Sequence, residues 1–453
     1  MRIDLSAYAT PMIVIIYVAF APIGLDLLYN PLIAGDYSSP WPVIYGLARY
    51  FACLAFAGSV LLSQGRGDYL KALTPLAPFL LFAAVSIVWS YDPKSTYKQL
   101  FYLVCLAVWI SAIVKWITIP ELLRTSSIIN SLIIFASLFL AVFVPHIGRH
   151  HGTDLVEPSH AGNWRGMFIH KNILGEFSVT TFLLLLRDIR KESAPMQLFF
   201  WAARIATLIC LVFCKSSNAL LGFGCAVVAY GLLINRPTAK PIFLALIATL
   251  AAVLIFGLSL TPAKFAALLG RDPHFTGRTE IWAFGHKLIN DHIWIGHGYS
   301  SADNIFGELA TKVVFGSATS LHNGYLDIMF DGGVVELILL LGAVVFVVSR
   351  AYFATFSMQG VERQGVVTYI AIIISACAMA SGETSPFRVV GDGVIGFWIS
   401  MIALCHVASA QERSERRALS PTRSGRMVFT APMGREIRRG RPGPQVSGPD
   451  YSS

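Results

Sequence analysis

The chain has 453 residues, 55% hydrophobic and only 13% charged. Soluble domains carry roughly 25% charged residues, so an ordinary water-soluble globule is excluded and the membrane class is indicated. The net charge of +9 gathers near the C-terminus, where nine arginines from Arg413 to Arg441 face few acids.

The first residues, Met1 to Thr10, lack a basic n-region, and no small-residue cleavage site follows the first apolar run. That run is expected to be a signal-anchor helix. A span needs about 20 mostly apolar residues. On that criterion we expect about twelve, near 9–29, 42–63, 72–91, 97–117, 126–145, 169–187, 198–214, 218–235, 241–261, 323–348, 365–383 and 389–407. The weakest are 198–214, which contains Arg204, and 169–187, which opens on His170-Lys171-Asn172. No internal repeat is visible. The seven cysteines all lie in apolar runs without zinc-type spacing, which reads as core packing and neither disulfides nor metal ligands.

Lys and Arg in short loops set orientation. Lys115 and Arg124, Arg187 with Arg190 and Lys191, Arg236 and Lys240, and Arg350 and Arg363 fall in one alternating set of connections. That set is expected in the cytoplasm, with both termini. The long segments His146 to Phe168 and Thr261 to Leu321 then fall on the outer face, the second as a periplasmic loop over 261–321. The expected division is a transmembrane domain over 1–408 and a basic cytoplasmic tail over 409–453. The tail is too poor in apolar residues to order itself, and its charge suits anionic lipid. No aromatic residues interleave its arginines, so a nucleic-acid partner is not expected.

Residues Gly277 to Asp291 read as an amphipathic helix. Ile281, Trp282, Gly285, Leu288 and Ile289 share one face, and Glu280, His286, Lys287 and Asn290 the other. Gly277 is placed to cap it. Arg278 in the first turn opposes the helix dipole, unless an anion such as phosphate bridges it to the free backbone N–H groups. The alternative is a solvated surface arginine. His322-Asn323 stands at the mouth of the tenth span. A neutral imidazole there could accept a proton from an attacking hydroxyl, with Asn323 orienting the ring or a sugar; equally, it could be satisfied by a backbone carbonyl. Arg165 and Lys171, at the mouth of the sixth span, are either phosphate ligands or basic side chains snorkelling beside Trp164.

His150, His151, Asp154, Glu157 and His160 match no zinc pattern, so no metal is expected. Glu176, Asp327, Asp331, Glu336 and Glu383 lie in or near spans, where carboxylates are costly and usually functional. Glu383 either pairs with an external arginine or caps the eleventh span at the water.

Five pieces, in this order on this hydropathy profile, resemble the bacterial O-antigen ligase and Wzy-type polymerase family. They are Val85-Ser86-Ile87-Val88-Trp89-Ser90; Arg165-Gly166 with Lys171-Asn172-Ile173-Leu174-Gly175; Thr276-Gly277-Arg278-Thr279-Glu280-Ile281-Trp282; Ile295-Gly296-His297-Gly298; and His322-Asn323-Gly324-Tyr325-Leu326 followed by Gly332-Gly333. The likeness covers roughly residues 70 to 400, and its Lys-Asn-Ile-Leu-Gly and Thr-Gly-Arg-Thr forms look most like succinoglycan-type exopolysaccharide polymerases. Glu336 departs from the pattern, since a small residue often stands there.

The resemblance implies an all-α, polytopic, GT-C-like glycosyltransferase fold in the bacterial inner membrane with a periplasmic active site. It also implies a donor oligosaccharide linked through diphosphate to undecaprenol, and an acceptor glycan. By the same resemblance His322, Arg278 and Arg165 match the family's histidine and paired arginines. Lys171, Asn172, Asn323, Tyr325 and Glu383 are expected to contact substrate. No cofactor is expected; a flippase and a chain-length regulator are expected partners. Polymerisation of lipid-linked repeat units by inverting transfer is the expected activity. Ligation of glycan to lipid A core is the runner-up. A flippase for the same lipid is a third reading, weakened by the lack of repeats and broken midplane helices.

Overall fold

The computed structural model describes residues 9–20, 41–62, 70–152, 160–235, 278–302, 320–387 and 395–419. The expected span at 241–261 and residues 420–453 of the tail lie outside them. Twelve helices of nine residues or more organise the described residues: α1 (Ala9–Phe20), α2 (Trp41–Leu62), α3 (Ala77–Val85), α4 (Pro93–Trp116), α5 (Ile119–Phe143), α6 (Lys171–Leu185), α7 (Ala194–Phe213), α8 (Ser217–Ile234), α9 (Arg278–Asp291), α10 (Gly324–Ala354), α11 (Gly360–Met379) and α12 (Gly396–Leu419). The protein is all-α, and the β contact among the described residues is an isolated bridge between Arg149 and Trp164.

The long helices begin where the sequence supplies caps. Asp92 accepts a hydrogen bond from Ser95 N at 3.1 Å, with Pro93 at the first helical position of α4. Thr118 and Glu121 form a capping box at the start of α5.

Six described helices, α4, α5, α7, α8, α10 and α11, are long and apolar enough to cross a membrane. Their outward faces agree. Leu198, Trp201, Ile205, Leu208 and Val212 form an exposed apolar stripe along α7 at helical spacing. A stripe of that size would be costly in water and is at home in lipid. The chain is a multi-pass membrane protein.

The helix α6 is short for a span, and its opening is polar. The reason is its position: every residue but Phe182 is buried. It packs against α5, α7, α8 and α11 and meets protein on all sides. Ser178 and Thr181 satisfy their hydroxyls on the carbonyls four residues back. Arg204, which weakened the reading of α7 as a span, closes the other end of α6. Its guanidinium donates to Leu185 O at 2.9 and 2.6 Å, using carbonyls that the helix end leaves free. Arg363 does the same for α8, donating to Ile234 O and Leu233 O at 2.8 and 2.7 Å.

These contacts define one end of the bundle. There Arg124 and Arg187 both pair with Glu192, and Gln364 of α11 donates to Leu186 O. Together the two guanidiniums, Arg124 foremost, hold the Glu192 carboxyl down at about 2. The basic residues Arg190 and Lys191 lie in the same connection between α6 and α7. At the opposite end the helix starts and stops are tied by a second set of bonds. Trp164 N donates to Phe213 O, Lys171 Nζ to Lys215 O, and Asn218 Nδ2 to Met379 O.

The 31-residue helix α10 is broken near its start. Gly333 has φ 66° and ψ −165°, which interrupts the helical backbone. The loop after α9 repairs the break: Val334 N donates to Ile293 O at 2.8 Å and Val335 N to Trp294 O at 3.2 Å. A Cβ on Gly333 would stand 2.3 Å from the Trp294 carbonyl carbon. Broken backbone survives in a membrane protein only where protein or water satisfies it, as here.

Of the expected tail, residues 409–419 belong to α12, which runs on past 408 to Leu419. Gln411, Glu412, Arg413, Glu415 and Arg416 are good helix formers, and the helix extends through them.

Candidate active site

Three of the sequence motifs meet at the break in α10. His297 N donates to Phe330 O and Gly298 N to Asp331 O, at 3.0 and 2.7 Å. The Val85–Ser90 segment closes on the same loop. Ser86 Oγ accepts from Tyr299 N at 3.0 Å, and Trp89 Nε1 donates to Ile295 O at 3.1 Å. Gly298, at φ 106°, leaves no room for a Cβ, which would lie 2.4 Å from Ser90. So residues 85–90, 295–298 and 331–333 form one platform beside the start of α10.

His322 sits just ahead of α10, and its neighbours hold it from every side. Its φ is +50°, in the left-handed region that non-glycine residues rarely occupy. Asn323 caps α10, its Oδ1 accepting from Tyr325 N and Leu326 N at 3.0 and 3.2 Å. Gly324 N donates to Ala380 O and Glu383 O at 2.8 and 3.1 Å. Asp327 Oδ1 accepts from Leu321 N at 3.1 Å. From α9, Trp282 Nε1 donates to Leu321 O at 2.8 Å. Backbone strain of this kind persists only where the surroundings over-determine it, and it gathers at functional sites.

The sequence predicts the face of α9 that makes this contact. Ile281, Trp282, Gly285 and Ile289 are buried, while Lys287 and Asn290 are exposed. Ile281, Trp282 and Ile289 join Leu321, Leu326 and Phe330 in a small apolar cluster. The helix that begins at Arg278 is thereby fastened to the residue before His322. The Arg278 side chain and Gly277 lie outside the described residues.

His322 Nδ1 lies 3.5 Å from Glu383 Oε2, close enough for an ion pair but without a hydrogen bond. The other carboxylate oxygen, Oε1, accepts from Asn172 Nδ2 at 2.5 Å. The carboxylate of Glu383 thus bridges the start of α10 to the start of α6. Its side chain is 10% exposed, against 28% for His322, so the imidazole is the more open of the two. Sequence reasoning named all three residues but could not join them, because they come from three separate segments. Tyr325 is fully buried and donates its hydroxyl to Cys377 O at 2.6 Å. Asn323 is equally buried. Both fix the geometry of the His322 turn.

At the start of α6, His170 caps the helix, its Nδ1 accepting from Asn172 N at 3.2 Å. Lys171 N donates to His150 Nε2 at 3.1 Å. The rings of His150, His160 and His170 stand in a triangle with centroids 5.3 to 5.7 Å apart. Asp154 and Glu157 lie outside the described residues. Among the described residues no group of three His, Cys, Asp or Glu is arranged to hold a metal ion. Arg165 is buried, with Nε donating to Ile147 O at 2.8 Å and its backbone N to Gly148 O at 2.9 Å. Beside it Trp164 stacks on Phe213, and Arg149 lies over the Trp164 ring.

A strained, half-exposed imidazole backed by a carboxylate is suited to accept a proton. A buried guanidinium, a lysine and helix starts on the same end of the bundle are suited to an anion. No curated protein matches the chain. Residues 202–341 match the model of the O-antigen ligase family, a stretch that holds Arg278, His322, Asn323 and Tyr325 and that supports lipid-linked glycan transfer as the general activity.

Proposed function

We propose that the protein polymerises undecaprenyl-diphosphate-linked oligosaccharide repeat units into an exopolysaccharide, by inverting glycosyl transfer. The observation that carries this reading is the His322–Glu383–Asn172 arrangement. A proton on Nδ1, the nitrogen nearer Glu383, leaves Nε2 as the basic nitrogen of the ring. It takes the proton of an acceptor sugar hydroxyl as that oxygen attacks the anomeric carbon of the donor. The new C–O glycosidic bond forms as the bond to the diphosphate oxygen breaks. The electron pair leaves with undecaprenyl diphosphate, and the proton passes from His322 to water. Arg165 and Arg278 meet the charge that grows on the leaving diphosphate, with Lys171 beside them.

Charge distribution supports a periplasmic site in the inner membrane. Arg124, Arg187, Arg190 and Lys191 lie at the end of the bundle opposite His322, which suits a cytoplasmic face for that end. Both termini are then cytoplasmic, and about twelve spans are consistent with that. A chain-length regulator and a flippase fit the same reading as partners.

The family match favours a second reading, ligation of finished glycan to lipid A core. Donor, fold and residues are common to both. Purified protein given labelled lipid-linked repeat units, with and without a lipid A core acceptor, separates them. A ladder of polymer without the lipid acceptor is the expected result; product only with lipid A core establishes the ligase.

A further inference from the structure

A partly open cleft lies beside the His322 turn. Gly324 and Thr384, which flank His322 and Glu383 in sequence, form part of its wall. On one side α10 contributes Asp331 and Glu336. On the other stand Phe79, Trp398 and Tyr299. The rings of Phe79 and Trp398 stack with centroids 6.0 Å apart, and Tyr299 meets Phe79 edge-on at 6.0 Å.

Glu336 is the residue that this wall leaves unexplained. It is 1% exposed, and its Oε2 has no hydrogen-bond partner among the described residues. Its side chain folds over Gly332, where a Cβ would collide with Oε2. Burying a carboxyl oxygen without a donor is costly, so the position calls for one from a ligand. Asp331 is differently employed: its Oδ1 accepts from Ala302 N at 2.7 Å and holds the loop.

The chemistry of the lining selects the ligand. No Lys, Arg or His lines the cavity, so a diphosphate finds no partner there. The carboxylates do not converge as metal ligands. Aromatic faces beside buried acceptors suit a molecule with apolar C–H faces and a rim of hydroxyl donors. Burial foremost, then Glu336 and Asp331, pushes the Tyr299 phenol up, so it stays a neutral hydroxyl.

We propose that this cavity is the subsite for the acceptor sugar ring, with Glu336 accepting a hydrogen bond from one of its hydroxyls. The proposal rests on the reading above, in which His322 activates an acceptor hydroxyl. The ring is held by its hydroxyl rim and its faces, and one hydroxyl is carried to the edge formed by Gly324 and Thr384, toward His322. The diphosphate of the donor lies outside it.

Saturation-transfer NMR on the full-length protein in nanodiscs tests this, with the methyl glycosides of glucose, galactose, mannose and N-acetylglucosamine as probes. At least one should bind to the wild type. Glu336→Ala should weaken it several-fold, since a buried hydrogen bond is lost. Glu336→Gln should weaken it less, and Gln99→Ala, a half-buried position on the cavity wall, should weaken it several-fold if both Glu336 variants fail to fold. Inorganic diphosphate should not compete. No binding by any of the four sugars, binding unchanged in the folded variants, displacement by diphosphate, or Glu336-dependent binding of calcium in place of sugar would each overturn the proposal. The two readings fail separately. His322→Ala should cut turnover roughly 10²-fold or more and keep sugar binding; normal turnover in that variant sinks the general-base reading alone. Loss of sugar binding in wild type beside an inactive His322→Ala sinks the subsite alone.

Discussion

Glu383 Oε2 stands 3.5 Å from His322 Nδ1, while Oε1 of the same carboxylate accepts from Asn172. One carboxylate thus stands between the ring and the most buried helix of the bundle. A group in that position fixes the tautomer of the histidine and stabilises the imidazolium. We expect Glu383→Gln to lower kcat about 10-fold or more, with a smaller effect on acceptor KM. Glu383→Asp should restore part of the rate. The check is kcat and acceptor KM of each variant at saturating donor.

Arginine in place of lysine matters where a diphosphate is gripped by a planar fork. Arg278→Lys and Arg165→Lys should both reduce donor binding or rate despite the retained charge, since the charge they meet grows as the leaving group departs. Arg165 has an additional role in the bond from its Nε to Ile147 O, so its lysine variant should also unfold at a lower temperature. Turnover with a defined lipid-linked donor, beside a thermal melt in detergent, separates the two effects. Full activity in both variants would remove the clamp from the mechanism.

How far the sequence was readable depended on whether the signal was local. The α9 face was legible because Ile281, Trp282, Gly285 and Ile289 recur at helical spacing, and the structure buries all four. The spans α4, α5, α7, α8, α10 and α11 were legible because lipid demands long apolar runs. The helix α6 was hard to read because protein surrounds it, so its apolar run is short and its polar residues are satisfied internally. Arg204 looked like a flaw in a span and is a cap for a neighbouring helix. The partnership of His322 with Glu383 and Asn172 had no local signal, since only the packing of α6, α10 and α11 brings those chain segments together.

Gly333 offers a test of the platform. Its φ of 66° and the 2.3 Å approach of Trp294 leave no space for a side chain. Gly333→Ala should destabilise the fold by at least the roughly 1–3 kcal/mol typical of a non-glycine residue in strained backbone. A fall in thermal midpoint, with greater proteolysis of the loop after α9, is the expected readout. An unchanged midpoint would mean that the break in α10 is not held as described.

At the far end of the bundle, Glu192 gives a pH dependence of known sign. Its folded-state value of about 2 is depressed below the ordinary carboxylate value by Arg124 and Arg187. A depressed acid contributes stability above its unfolded pKa and loses it as pH falls through the folded one. The contribution should therefore be whole above about pH 4.5 and fade toward pH 2. Glu192→Gln should flatten the acid limb of a stability–pH curve measured in detergent. It should leave transfer chemistry unchanged, because Glu192 lies at the opposite end from His322.

The most direct measurement is the turnover of His322→Ala with a defined lipid-linked donor, normalised to folded protein. Loss of a general base costs roughly 10²-fold or more. We expect a fall of that size, with donor binding little changed because the imidazole acts on the acceptor. Near-normal turnover in a well-folded His322→Ala protein would contradict the mechanism and leave His322 with a positioning role at most.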